Sequence, residues 1–262
     1  DIFRDTGGHD HAKFMHGYFG TVSATGIPLT PMVDFGPETQ MRNFRGGTPT
    51  LGWQVNWKIE DRYRYLPPGA EVHLRYTDLT NGTQAALAES WLIERGHETW
   101  VPSLLVRRQG ATTEKLASTF VAILEPYTDS PKIKMISRIS LLTETGQTAD
   151  ESNVGVMIQQ ASGRSDLLIA AATGLPSSTQ RRLIQPAWAV STDADFCLIR
   201  RDANNEIEYL FLSGGRNLQV GDLQLTLTPG TSLFEAKIEA GKLVMLRGTA
   251  DAVLNFRLHP NE

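Results

Sequence analysis

The residues best suited to chemistry lie near the start of the chain, where three of the six histidines fall within the eleven-residue run Gly7–Gly17. If this run is extended, His9 and His11 point to one face, close enough to share a metal ion or a substrate. Asp34 ends the next apolar stretch, and a hairpin would bring its carboxylate beside the two imidazoles. Two histidines and one aspartate would make a zinc site with room for another ligand.

A simpler interpretation of the same residues stays open. His9 and His11 would then be hydrogen-bonded loop residues, and Asp34 would begin the turn before Gly36-Pro37. His-x-His is a short pattern that matches many unrelated proteins. Spacing alone does not decide between a metal site and a polar loop.

Two further groups of residues could bind a ligand. Lys13, Arg42 and Arg45 add positive charge around the same stretch, which would attract a substrate that carries a carboxylate. The alternative is that they form a solvated surface. The five tryptophans could stack on sugars or fill the core; they are Trp53, Trp57, Trp91, Trp100 and Trp188.

Composition excludes several classes of protein. The 25 Lys and Arg against 29 Asp and Glu give a net charge of -4, without the cationic surplus typical of nucleic-acid binding. No run approaches the ~18 apolar residues of a membrane-spanning helix. Cys197 is the single cysteine, so an internal disulfide is impossible, and we expect it to be buried. Phosphate-loop, Gly-x-Ser-x-Gly and His-Glu-x-x-His motifs are absent.

The segments that must position these residues are predicted to be strands. Apolar and polar residues alternate from Leu51 to Ile59, as in a half-buried strand. The stretch Leu116–Leu124 is apolar on both faces, which suits an interior strand. A weak helical pattern is confined to 177–184. With frequent glycine turns, the sequence predicts an all-β antiparallel sandwich of stacked sheets, one domain over 1–262 with a seam near 125–131.

Four segments together resemble one family: Phe3-Arg4, Gly7-Gly8-His9-Asp10-His11, Val33-Asp34-Phe35-Gly36 and 118–127 (STFVAILEPY). They are similar to the C-terminal β-sandwich part of heparinase II/III-like polysaccharide lyases, over about the first half of the chain. The resemblance implies that the sandwich abuts an N-terminal (α/α) toroid. The substrate cleft would lie between the two parts.

The resemblance also implies roles for single residues. His9 matches a histidine that assists catalysis by contacting the substrate. His11 and Asp34 match zinc ligands, while the family's third ligand, a histidine, has no counterpart within 48–54. The implied substrate is an acidic polysaccharide, with Lys13, Arg42 and Arg45 as candidate substrate-binding residues.

The implied reaction is β-elimination beside a uronate carboxylate. Because the toroid supplies part of the active site, we expect this chain alone to show little or no lyase activity. The substrate class predicts a periplasmic or secreted bacterial protein, without a nucleic-acid partner or a membrane span. The alternative is a non-catalytic carbohydrate-binding sandwich.

Overall fold

The computed structural model of the protein describes residues 1–17, 19–34, 37–111, 113, 115–172, 182–239, 242–248 and 250–254. Strands account for 59% of the described residues and helices for 2%, and the four sheets are antiparallel. The predicted all-β sandwich is therefore confirmed. Across these ranges, we find no helix with the length and apolar character needed to cross a membrane.

The chain divides into two compact units, Asp1–Lys132 and Ile133–Glu262. The interpretation of 1–262 as one domain stays a prediction. The predicted seam at 125–131 lies at the end of the first unit, and its first three residues belong to the strand Ala117–Tyr127.

Two five-stranded sheets form the first unit. Its strands are β1 (Ile2–Thr6), β2 (Asp10–His16), β3 (Gly20–Thr25), β4 (Thr30–Pro31), β5 (Met41–Gly47), β6 (Gln54–Ile59), β7 (His73–Asp78), β8 (Gln84–Glu94), β9 (His97–Gln109) and β10 (Ala117–Tyr127), with a short 3-10 helix at Pro37–Thr39. Sheet I has the order β1-β10-β7-β6-β3, and sheet II has the order β2-β9-β8-β5-β4. β3 is therefore an edge strand of sheet I, and β4 is an edge strand of sheet II.

Alternation explains how these strands build the core. In β6, Val55 and Trp57 are fully buried, whereas Lys58 is exposed on the other face. Leu104 and Val106 of β9 meet them from sheet II in the same apolar cluster. Replacing a buried tryptophan such as Trp57 with alanine typically costs about 3–5 kcal/mol, so this core fixes how the two sheets pack.

The second unit also contains two sheets. Its strands are β11 (Ile133–Ile139), β12 (Val154–Gln160), β13 (Ser165–Ala170), β14 (Leu183–Gln185), β15 (Val190–Thr192), β16 (Phe196–Arg201), β17 (Ile207–Ser213), β18 (Asn217–Val220), β19 (Leu223–Leu227), β20 (Leu233–Glu239), β21 (Lys242–Arg247) and β22 (Ala250–Leu254), with a 3-10 helix at Pro186–Trp188. Sheet III has the order β11-β12-β13-β16-β17-β20-β21. Sheet IV has the order β14-β15-β18-β19-β22.

The core of the second unit lies between sheets III and IV. Ile169 and Leu210 of sheet III and Leu225 of sheet IV belong to one buried cluster. Cys197 is buried there as predicted, and this burial raises the pKa of its thiol to about 12. Most of the weak helical pattern at 177–184 lies outside the described residues, and its last two positions begin β14.

Candidate functional site

A groove of about 770 Å³ lies in the first unit. It is bordered by the edge strand β3 of sheet I and by β4, β5, β8 and β9 of sheet II. Its lining includes Val22, Pro31, Asp34, Arg45, Glu89 and Trp100. Asp34 and Arg45, which were predicted as site residues on separate grounds, therefore share one groove.

Trp100 is held in this groove by a cross-strand cluster. It lies on β9 opposite Trp91 of β8 and is half-buried. The guanidinium of Arg42 lies over its ring, 3.9 Å from the ring centroid. Arg42 also donates from Nε to Oε2 of Glu89, at 2.8 Å, and the Asn43 amide donates to the same oxygen at 2.8 Å. The charge of Glu89 is thus compensated, and the indole is fixed in orientation.

The position of Arg45 depends on a β-bulge. Between Arg42 and Arg45, β5 places two residues opposite one residue of β8. Asn43 takes up the left-handed conformation at this point, with φ 59°, which asparagine tolerates better than most residues. The bulge lets Arg42 pair with Glu89 while Arg45, on the same strand, lines the groove. Arg45 is exposed, and its Nε donates to the Leu29 carbonyl at 3.2 Å.

The charges that remain in the groove come from Arg45 and Asp34. Within the described ranges, the structure gives neither side chain an ion-pair partner. Asp34 is exposed and follows β4, which is only two residues long; just before it, the Met32 amide donates to the Phe44 carbonyl at 2.9 Å. The groove therefore offers one cation, one anion and an aromatic ring.

The bend between β1 and β2 exposes His9. Gly7 and Gly8 make this bend with φ of 116° and 56°, conformations that L side chains rarely adopt. The His9 carbonyl accepts from the Gly110 amide at 2.9 Å, which ties the bend to the end of β9. His9 presents its side chain to solvent, where it is accessible to a ligand.

His11 is only 6% exposed and makes hydrogen bonds inside the unit. Its Nδ1 lies 2.9 Å from the Ser118 hydroxyl, and its Nε2 lies 2.5 Å from the Gly7 carbonyl. Nε2 is also 3.8 Å from Oδ2 of Asp5. Both ring nitrogens are therefore occupied by protein atoms, so His11 acts here as a buried polar anchor of the bend.

His11 and Asp34 do not meet in this arrangement. They lie on or beside β2 and β4, the opposite edges of sheet II. Four strand spacings separate these edges, roughly 19 Å along the sheet. Placed in this way, the two residues do not fit one shared zinc ion, and among the described residues no group of three or more potential ligands is arranged for a metal. The zinc site stays a prediction.

His9 is also far from the groove. The Asp10 position of β2 pairs with Gln109, at one end of β9, whereas Pro102 of β9 lines the groove. Seven residues of extended strand separate Gln109 from Pro102, roughly 24 Å. The predicted site residues therefore fall into two places: His9 and His11 lie at the bend, and Asp34, Arg42 and Arg45 lie in or beside the groove.

Lys13 belongs to neither place, because its side chain points into the unit. Its ammonium donates to Oδ2 of Asp1 at 2.6 Å, lies 5.7 Å from the Tyr76 ring centroid and interacts electrostatically with the fully buried Asp78. Asp78 accepts from the Tyr76 hydroxyl at 2.5 Å and from the Thr80 amide at 2.9 Å. Burial raises the pKa of Asp78 and lowers the pKa of Lys13. Lys13 is therefore engaged by the Asp1 carboxylate, and its charge also acts on the buried Asp78.

Sequence reasoning did not single out Glu89 or Asn43. Both act through cross-strand contacts that depend on the register of β5 and β8. Trp100 was considered only as one of five tryptophans, without a reason to prefer it. The feature that could have distinguished Trp100 from the other tryptophans is the long β8–β9 hairpin, which places Trp91 opposite Trp100.

In comparisons with known proteins, no family model, curated protein or solved structure matches the chain.

Proposed function

We propose that this chain is the β-sandwich portion of a polysaccharide lyase and that its first unit binds a uronate-containing polysaccharide in the Trp100 groove. The observation that carries the proposal is the exposed Arg45 guanidinium in the same groove as Trp100. A planar guanidinium suits a carboxylate, and an aromatic face suits the C–H face of a sugar ring.

One cation of the groove is available to an acidic ligand. Because Arg42 compensates Glu89, the Arg45 guanidinium is the cation left to meet a uronate carboxylate. Asp34 is an acceptor for sugar hydroxyl groups. The chain as a whole does not attract anions, because its net charge is -4. The attraction would be local to this groove.

Cleavage would take place at a second position, beside His9. In β-elimination, a base removes the proton next to the uronate carboxylate and an acid protonates the departing glycosidic oxygen. His9 is accessible for a role in proton transfer or in neutralising the carboxylate. The remaining groups would come from an (α/α) toroid, in the same chain or a separate one, and the protein would act in the periplasm or after secretion.

Binding to two polymers that differ only in charge tests the proposal. The full chain should bind polygalacturonate in a calorimetric titration and should bind the fully methyl-esterified polymer much more weakly. Arg45→Ala should remove this preference. Arg216→Ala, an exposed arginine of the second unit, is the matched control and should keep it. Equal binding of the two polymers by the unmodified chain would refute the proposal.

A non-catalytic carbohydrate-binding sandwich is the second candidate. Two observations favour this candidate. Both ring nitrogens of His11 already contact protein atoms, and His11 is separated from Asp34 by the width of sheet II. His9→Ala separates the two functions when the chain is assayed together with its helical partner. Loss of unsaturated product with binding unchanged supports the lyase. Unchanged product formation, or a complete assembly without any product, supports the binding module.

A further inference from the structure

A cluster of aromatic rings and arginines lies where the β6–β7 loop meets the tip of the β8–β9 hairpin. The Tyr63 and Tyr65 rings of the loop are 5.8 Å apart between their centroids. The Arg95 guanidinium of the hairpin turn lies over the Tyr63 ring, 5.3 Å from its centroid. Tyr65 is 82% exposed and Arg95 is also exposed, so a ligand can reach both side chains. These three residues form the tyrosine platform.

Hydrogen bonds hold the loop that carries the platform. The Asp61 carboxylate accepts from the backbone amides of Tyr65 and Leu66, at 3.0 Å and 2.7 Å. The Arg62 guanidinium donates to Oε2 of Glu94 at 2.9 Å, which ties the loop to the end of β8. The backbone of Tyr65 is therefore fixed while its ring stays accessible. A segment that is already ordered loses little conformational freedom when it binds a ligand.

The position of Arg95 is unusual for an arginine. Arg95 and Gly96 make the two-residue turn between Glu94 and His97, with φ of 49° and 81°. Asparagine, aspartate and glycine adopt the left-handed conformation at the first of these positions more easily than arginine does. Unfavourable backbone conformations of this kind are concentrated at functional sites. The turn therefore indicates a role for the guanidinium beyond the fold.

Arg95 is a cation that its neighbours do not neutralise. Glu94, the residue before it, pairs with Arg62 at 2.9 Å, and its side chain is only 15% exposed. Within the part of the chain that the structure describes, Arg95 has no ion-pair partner. An acidic group of a ligand can therefore approach this guanidinium.

The chemistry of the platform repeats that of the groove. A guanidinium suits a carboxylate, and an aromatic face suits the C–H face of a sugar ring. The groove combines Arg45 with Trp100, and the platform combines Arg95 with the exposed ring of Tyr65. Both places therefore fit residues of the same acidic polysaccharide.

The platform lies beyond one end of the groove. The tip of the hairpin is three residues along β9 from Trp100, roughly 10 Å of extended strand. Gly20 lines the groove, and the ring of Phe19, the residue before it, lies 4.0 Å from the Arg62 guanidinium of the loop. A polymer that occupies the groove would therefore reach the platform within a few sugar residues.

We propose that the tyrosine platform binds the acidic polysaccharide at a second place beyond the Trp100 groove, where Arg95 meets a uronate carboxylate and Tyr65 meets the face of a sugar ring. This inference rests on the proposed function, because it needs a polymer in the groove. A short oligomer fills one place, whereas a longer one fills both. The second contact is then intramolecular, so affinity should increase with ligand length.

Calorimetric titration of the full chain with oligogalacturonates from the dimer to the octamer tests this. Affinity should rise by about tenfold or more once the ligand spans both places. Tyr65→Ala and Arg95→Asn should each remove most of this rise and leave the affinity for the dimer unchanged. Arg216→Asn, at an exposed position of the second unit, is the matched control and should keep the rise.

Thermal unfolding checks that the variants fold. Arg95→Asn should be at least as stable as the unmodified chain, because asparagine followed by glycine suits this turn. A loss of the length dependence in Arg95→Asn is then due to the missing cation. Trp100→Ala should weaken the dimer and the octamer alike, since both use the groove.

The outcomes separate this inference from the proposed function. Affinity that does not rise with length would overturn the second place and leave the groove intact. A rise that Tyr65→Ala and Arg95→Asn leave unchanged would do the same. Failure of every oligomer to bind would refute the proposed function and this inference with it.

Discussion

The guanidinium of Arg42 lies over the ring of Trp100, 3.9 Å from its centroid, while the same side chain donates to Glu89 at 2.8 Å. One arginine thereby fixes the aromatic ring and compensates Glu89, one of the two acids that line the groove. Cation–π contacts of this kind contribute about 0.5–1 kcal/mol at exposed sites. The cation left to meet an acidic ligand is Arg45, on the other side of the bulge.

Replacing Trp100 should weaken binding without unfolding the chain. We expect Trp100→Ala to reduce polygalacturonate affinity by about tenfold or more, as loss of a central aromatic contact does at other interfaces. Trp91→Ala is the matched control, because Trp91 is the cross-strand neighbour outside the groove lining. Calorimetric titration measures both. Equal losses for the two variants would argue against Trp100 as the sugar platform.

Removing the charge of Glu89 should strengthen the binding of acidic polymers. Glu89→Gln keeps an oxygen that accepts from Arg42, but it leaves that guanidinium uncompensated. Affinity for polygalacturonate should rise several-fold at low salt and return toward the original value as salt screens the charge. Glu144→Gln, an exposed acid of the second unit, controls for net charge. A fall in affinity for Glu89→Gln would contradict the groove assignment.

The two histidines of the His-x-His run should differ in their effect on stability. His11→Ala leaves the Ser118 hydroxyl and the Gly7 carbonyl without their buried partner, and it should lower the free energy of unfolding by about 1–3 kcal/mol. His9 is exposed, so His9→Ala should change it by at most about 0.5 kcal/mol. Urea unfolding measures both variants. If they destabilise the chain equally, His11 is not the anchor of the bend.

The raised pKa of the buried Asp78 predicts that the stability of the chain depends on pH. Burial raises its folded pKa above the ordinary value of 3.8, so the folded state disfavours ionisation. Its contribution to stability is present below that value and declines as pH rises through the higher folded pKa. Asp78→Asn cannot ionise, so its unfolding free energy should improve relative to the unmodified chain as pH rises above 3.8. Urea unfolding at a series of pH values tests this, and a constant difference would refute it.

The strands could be predicted because their signals are local. Alternation identified the buried face of β6, including Val55 and Trp57, and the uniformly apolar stretch identified β10 as an interior strand. Cys197 was predicted to be buried for the same reason. Each of these inferences needed only the period of the strand and the side chains within it.

The site was harder to predict because it depends on strand order. His11 and Asp34 look close if β2 is followed by a simple hairpin, yet β3 enters sheet I while β2 and β4 become opposite edges of sheet II. The contacts of Glu89 depend on a bulge at Asn43. Neither strand order nor bulge position follows from the pattern of a single strand.

The most direct test of the central claim is a crystal structure of the full chain with a short oligogalacturonate. The account predicts a ligand carboxylate within hydrogen-bond distance of the Arg45 guanidinium, about 3 Å, and a sugar ring against Trp100. An oligogalacturonate bound elsewhere on the first unit, or none bound at a concentration that saturates binding in solution, would contradict it.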